Sequence, residues 1–231
     1  ISKDPLLPKA EATIDACEKL VLPGLIDPHV HFRDPGATSK EDFESGTKAA
    51  AAGGFTLVFD MPNTHPSVIS SDVFKMKRSV AESKAVVDFC LYAGSGMEAL
   101  GNIPSMAEVG AVAFKLWTHA PSKPSELQGL YATDAHSIRK VLKTVLKVGS
   151  LQCVHAESQE VIARETKRLM EAGRKDPSAH AEARPNEAEY TAVSLLIRLA
   201  YEVGARLHFV HLSTKEALLM VSEAKSQGYQ V

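Results

Sequence analysis

Four histidines stand where strand-like segments of the sequence end, and imidazole at such positions suggests metal binding. His29 and His31 are two residues apart, so the two-residue period of a strand directs both side chains to one face. His155 and His211 end later strand-like segments, each in phase with the apolar residues before it. Neutral imidazole is the commonest nitrogen ligand of zinc. Each histidine taken singly is more often a hydrogen-bonded structural residue, but the four together favour a metal site.

The other five histidines gain no such support from their positions, and we interpret them as surface residues or as neighbours of the site. They are His65, His119, His136, His180 and His208.

Lys115 is the second unusual residue, because it lies inside the apolar segment Ala111 to Trp117. A free ammonium is costly there, and the phase with Ala113 directs the side chain inward. The alternative is a lysine whose amine reaches solvent at the end of the strand. If the amine is buried, its pKa falls and it becomes a nucleophile.

Strand-like and helix-like segments alternate in six units, which implies parallel strands joined by right-handed crossovers. An open doubly wound sheet and a (β/α)₈ TIM barrel both fit this order. The absence of Gly-x-Gly-x-x-Gly after any strand weakens the dinucleotide-binding form of the open sheet. We therefore predict an α/β fold, a partial TIM barrel over residues 20–231. Chemistry in such barrels lies at the C-terminal ends of the strands, where the histidines are.

Capping boxes predict where three of the helices begin, because a side-chain oxygen and a carboxylate three residues later satisfy the free backbone N–H groups. The three pairs are Thr38 with Glu41, Ser105 with Glu108, and Ser213 with Glu216.

The composition excludes several classes of protein. With 26 Lys and Arg against 28 Asp and Glu, the net charge is −2, so no overall basic field exists to hold nucleic acid or an anionic membrane. The hydrophobic content of 45% is that of a globular fold, and no apolar run approaches the roughly 20 residues of a membrane span. Three cysteines without a Cys-x-x-Cys pair favour a reducing compartment. We expect a cytoplasmic protein.

Residues 22–36, which read LPGLIDPHVHFRDPG, resemble the signature of the cyclic amidohydrolases, and among these dihydroorotase most closely. The segments 52–56, 61–64, 154–157 and 210–214 support this, and the resemblance extends from about Ile14 to the last residue. It implies a hydrolase that uses two zinc ions to open a cyclic amide, interconverting dihydroorotate and N-carbamoyl-aspartate in de novo pyrimidine biosynthesis.

The resemblance also implies roles for individual residues. His29 and His31 would bind one zinc ion, and His155 and His211 the other. Lys115, carboxylated by CO2, would bridge the two ions together with a hydroxide. In the family a further ligand and general base is an Asp after the eighth strand, which lies beyond the last residue of this sequence.

Arg33 and Asn63 are implied to hold the substrate carboxylate. A guanidinium offers a planar fork of donors to a carboxylate, and an amide adds neutral polarity. Without the motifs, a solvated loop charge and a turn residue would be the preferred interpretations.

The resemblance leaves the substrate open. Residues 183–187 read more like allantoinases and hydantoinases, whereas Arg33 favours dihydroorotase because allantoinases usually have Asn there. The alternatives are therefore an allantoinase, a dihydropyrimidinase or hydantoinase, or a non-catalytic scaffold of the same fold. Residues 1–19 look like the tail of a small β-sandwich that precedes the barrel. We expect either a homo-oligomer or a place in a pyrimidine-pathway assembly.

Overall fold

The computed structural model describes residues 10–121, 123 and 127–231. Within them the chain forms seven strands: β1 Leu25–Val30, β2 Phe55–Asp60, β3 Asp88–Leu91, β4 Ala93–Gly94, β5 Phe114–Trp117, β6 Gln152–His155 and β7 Leu207–Phe209. It also forms eight α-helices: α1 Phe43–Ala52, α2 Ser71–Lys84, α3 Ile103–Glu108, α4 Ala135–Lys147, α5 Gln159–Glu171, α6 Pro177–Glu182, α7 Asn186–Val203 and α8 Lys215–Ser226. A short 3-10 helix, Leu100–Asn102, precedes α3.

The strands form one parallel arc that follows chain order. The hydrogen-bonded order is β1-β2-β3 and then β4-β5-β6-β7. β3 and β4 are two pieces of one strand, because Tyr92 N donates to Asp60 O on one side at 3.0 Å and Ala93 N donates to Ala113 O on the other at 3.1 Å. A doubly wound sheet reverses its strand order at a switch point, and this arc does not. The arrangement is therefore that of a barrel, as predicted.

The two faces of the arc are covered differently. Helices pack on the outer face, where Phe43, Phe74, Leu142 and Leu196 are buried in the main apolar core. The inner face carries a smaller cluster of Met61, Tyr92, Ala113, Cys153 and Val210. Lys115 is two residues beyond Ala113 and is 0% exposed, so its side chain is buried as predicted and does not reach solvent.

The three predicted helix starts are wrong by a few residues. α1 begins after Asp42, whose Oδ1 accepts from Ser45 N at 2.8 Å, so Thr38 lies in the preceding turn. α3 begins at Ile103, because Pro104 suits the first turn of a helix and places Ser105 inside it. α8 is capped by Thr214, because Ser213 is bound to Glu189 instead.

The N-terminal segment adds no regular element among its described residues, 10–24. Residues 1–9 lie outside the described part of the chain, so the β-sandwich tail at residues 1–19 stays a prediction. In the part of the chain that the structure describes, no helix combines the length and the hydropathy that crossing a membrane requires.

Candidate metal centre

The four histidines selected from the sequence lie together at the C-terminal ends of the strands. Nε2 of His29 lies 3.2 Å from Nε2 of His31, and Nδ1 of His155 lies 3.1 Å from Nε2 of His211. The rings of His29 and His211 have their centroids 5.2 Å apart, which joins the two pairs. β1 and β7 are at opposite ends of the arc, so its curvature is what brings these two rings together.

The donor set of these histidines suits metal ions. Two nitrogens bound to one tetrahedral zinc at about 2.0–2.1 Å are about 3.3 Å apart, close to both measured separations. Burial, with help from neighbouring positive charge, lowers the pKa of His29 to about 3 and the pKa values of His31 and His211 to about 4. These three rings are therefore neutral at physiological pH, which is the form that binds metal.

Lys115 lies beside the histidines as a buried amine. Its Nζ has no hydrogen-bond partner among the described residues and lies 4.7 Å from the centroid of the Trp117 ring. Burial lowers the pKa of Lys115 to about 7, so a large part of the amine is unprotonated near neutral pH. The charge of Lys115 also lowers the pKa values of His29, His31 and His211, which reflects its proximity to both pairs. An unpaired buried amine of this kind is suited to covalent modification, such as the carboxylation that the resemblance implies for Lys115.

Asn63 and Arg33 flank the first histidine pair. Asn63 Oδ1 lies 2.8 Å from Nδ1 of His31, and this contact places the ring proton on Nδ1 and leaves Nε2 free for a metal. The sequence did not indicate this second role for Asn63. Arg33 is half-buried, and its guanidinium forms no ion pair within the described ranges. The charge of Arg33 contributes, after burial, to the low pKa of His31.

The sequence interpretation gave no role to Glu157 and Arg184, and it counted His119 among the surface residues or neighbours of the site. Glu157 Oε2 lies 2.6 Å from Nε2 of His155 and 3.5 Å from Nε2 of His119. Glu157 Oε1 lies 3.5 Å from Nε of Arg184. The ligand atoms of His119, His155 and Glu157 all lie within 4.8 Å of one another. The spacing of two between His155 and Glu157 was a signal for the glutamate. Of the two alternatives stated for His119, the structure supports a neighbour of the site.

A carboxylate on α7 fixes the turn that follows His211. Glu189 accepts hydrogen bonds from the backbone N–H of Ser213 at 3.1 Å and of Thr214 at 2.9 Å, and from both hydroxyls. His211 itself has a φ of +40°, a conformation that needs such support. A cavity of about 320 Å³ opens beside this turn and is lined by His155, His211 and Arg184 among others. Its volume suits a small molecule.

The chain is similar to several known proteins. The model described as "Amidohydrolase family" matches residues 20–230. An allantoinase from Bacillus velezensis is 38% identical over 228 residues, which cover 96% of this chain and 48% of that protein. A dihydroorotase from Methanothermobacter thermautotrophicus is 39% identical over 214 residues, with 90% and 46% coverage.

The likeness extends to solved structures. The L-hydantoinase (dihydropyrimidinase) from Arthrobacter aurescens has a TM-score of 0.91 and 32% identity, over 100% of this chain and 50% of that one. This chain therefore spans about half the length of the relatives it matches. Together with the sequential parallel arc, the likeness confirms the predicted partial TIM barrel.

Proposed function

We propose that this chain, which belongs to the amidohydrolase family, holds the metal centre of a two-zinc cyclic amidohydrolase whose substrate is dihydroorotate. One observation carries the proposal: two pairs of ring nitrogens, 3.2 and 3.1 Å apart, lie beside a buried amine without a hydrogen-bond partner among the described residues. The names of the relatives support the class of reaction, since they are allantoinase, dihydroorotase and hydantoinase.

Each residue has a role in this proposal. His29 and His31 hold one ion, and His155 and His211 hold the other. The Lys115 amine would attack the carbon of CO2 and lose a proton, and the resulting carbamate would be an anionic oxygen ligand for the metal centre. When bound, the zinc ions supply Lewis acidity toward the ring carbonyl and lower the pKa of water.

Arg33 and Asn63 orient the substrate. The guanidinium of Arg33, which forms no ion pair within the described ranges, is available to bind the carboxylate of dihydroorotate in a bidentate manner. The amide nitrogen of Asn63 can donate to the same carboxylate while Oδ1 stays on His31. Fixing this end of the ring positions the scissile carbonyl at the metal centre.

A second candidate is an allantoinase or a hydantoinase with the same metal ligands. Residues 183–187 favour it, and so do the allantoinase and hydantoinase relatives. Allantoin, hydantoin and dihydrouracil carry no carboxylate for Arg33, so this residue distinguishes the two candidates.

The test is a set of parallel hydrolysis assays with the full-length, zinc-loaded protein on dihydroorotate, allantoin, hydantoin and dihydrouracil. We expect dihydroorotate to be the preferred substrate. Loss of hydrogen bonds to a charged group is worth about 1.5–3 kcal/mol, so Arg33→Ala is expected to reduce kcat/KM for dihydroorotate by roughly 10- to 150-fold. Arg139→Ala, on the outer helix α4, serves as the control.

Three results would contradict the proposal. A preference for allantoin, hydantoin or dihydrouracil would transfer the assignment to the second candidate. Unchanged activity of Arg33→Ala on dihydroorotate would remove the role of Arg33. Absence of zinc after purification without chelators would favour a non-catalytic scaffold.

A further inference from the structure

We propose that Glu157 is a positioning residue that sets the metal-binding geometry of His155, and that Thr118 and Arg184 hold Glu157 in place. This inference rests on the proposed function, because it assigns a role toward the second of the two metal ions.

The two ring nitrogens of His155 face different partners. Nδ1 faces His211 at 3.1 Å, and Nε2 contacts Glu157 Oε2 at 2.6 Å. A carboxylate only accepts hydrogen bonds, so Nε2 carries the ring proton and the lone pair of Nδ1 points toward His211. Glu157 therefore decides which nitrogen is available to a metal ion.

Glu157 is itself held on several sides. Its side chain is 15% exposed and lies 3.5 Å from both His119 Nε2 and Arg184 Nε. Its backbone forms two hydrogen bonds with Thr118, whose hydroxyl accepts from Glu157 N at 2.9 Å and donates to Glu157 O at 2.8 Å. A carboxylate fixed in both its backbone and its side chain can in turn fix a ring.

Trp117 lies beside His155. The two rings are nearly parallel, with an interplanar angle of 23° and centroids 6.4 Å apart. The tautomer of His155 is set by Glu157.

The same residues could be interpreted as a separate metal site, since His119, His155 and Glu157 all lie close together. The distance between His155 and Glu157 argues against this interpretation. Two ligand atoms on one zinc ion are about 3.3 Å apart, whereas these atoms are 2.6 Å apart and form a direct hydrogen bond. In a positioning role, Glu157 keeps its hydrogen bond to Nε2 of His155 and does not bind the metal ion.

The experiment measures zinc binding by Glu157→Gln in competition with a chromophoric chelator. Glutamine has the same shape but can donate to Nε2 through its amide, so the tautomer is no longer fixed. We expect one of the two zinc equivalents to bind about 10- to 100-fold more weakly and the other to be unchanged. Glu157→Asp, which keeps the carboxylate, is expected to recover part of the affinity.

Two controls separate positioning from stability. Glu160→Gln makes the same change three residues away at an exposed position of α5, and we expect it to bind both equivalents normally. Thermal unfolding of the metal-free proteins is expected to be the same for Glu157→Gln and the wild type. If Glu157 had only a structural role, Glu157→Gln would unfold at a lower temperature and would bind both zinc equivalents more weakly.

Other zinc-binding results would contradict either the positioning role of Glu157 or the proposed function. If Glu157→Gln binds both equivalents with wild-type affinity, the positioning role is wrong while the proposed function stands. If the wild type binds three equivalents and Glu157→Gln loses the third, the cluster is a metal site in its own right. If the wild type binds no zinc, the proposed function fails and this inference fails with it.

Discussion

The buried ion pair of Lys77 and Asp60 connects the core to the loop that carries Arg33. Lys77 Nζ lies 2.6 Å from Asp60 Oδ2 and donates to Met61 O at 2.6 Å, and both charged side chains are 0% exposed. Asp60 Oδ1 accepts from the backbone N–H of Phe32 at 2.8 Å. We therefore expect Lys77→Met to destabilise the fold and to loosen the residue immediately before Arg33.

The magnitude follows from burial. Removing one partner of a buried ion pair costs about 3–5 kcal/mol, because the other charge is left without compensation. We expect Lys77→Met to lower the free energy of unfolding by this amount in urea titrations at neutral pH. Burial already raises the pKa of Asp60 and Lys77 opposes that effect, so the variant raises the pKa further. The folded variant then binds a proton at Asp60 more readily than the unfolded variant does. The loss of unfolding free energy relative to the wild type therefore becomes smaller as the pH falls below the pKa of Asp60 in the folded variant.

Two variants test this reasoning. Asp60→Asn/Lys77→Met removes both charges and keeps an acceptor for Phe32 N, so we expect it to recover at least half of the loss. Lys48→Met breaks the pair with Glu44, whose side chains are 60% and 56% exposed, and is expected to cost less than about 1 kcal/mol. If Lys77→Met costs no more than Lys48→Met, or if the double variant is as unstable as the single one, the buried charge of Asp60 is not the cause of the instability.

Two further predictions concern the buried amine and a close helix contact. We measure the free energy of unfolding of the wild type and of Lys115→Met by urea titration in EDTA. As the pH rises from 6.5 to 8.5, we expect the value for the wild type to increase by about 2 kcal/mol relative to the value for the variant. The reason is that the folded pKa of Lys115, about 7, lies below its ordinary value of 10.5, so the unfolded chain binds more protons in this range. Parallel pH curves for the two proteins would contradict this. Gly46→Ala is expected to cost about 1–3 kcal/mol, because its new methyl group would overlap the buried ring of Phe32, whereas Gly101→Ala meets nothing within 4 Å. Equal melting temperatures for these two alanine variants would contradict the overlap.

The order of the elements was predictable from the sequence because it depends on local periodicity. Alternation within strands placed His29 and His31 on one face, and the same rule placed Lys115 in the interior. The helix starts were less predictable, because several residues with capping side chains stand next to one another. Ser213 could not be excluded as a cap from local sequence, since its hydroxyl is bound to Glu189, 24 residues earlier in the chain.

The residues that surround Glu157 were not predictable from the sequence, for a related reason. Glu157 contacts His119 and Arg184, which come from different loops and are 38 and 27 positions away in the sequence. Such contacts depend on how the loops fold over the rim, and no spacing rule describes them. The contact between Asn63 and His31 spans 32 residues and was missed in the same way.

The most direct test of the central claim is anomalous diffraction at the zinc edge from crystals of the zinc-loaded protein. We expect two peaks about 3.5–4 Å apart. One should lie between Nε2 of His29 and Nε2 of His31, and the other between Nδ1 of His155 and Nε2 of His211, with electron density continuing from Nζ of Lys115 toward both. Peaks elsewhere in the molecule, or none at the two histidine pairs, would contradict it.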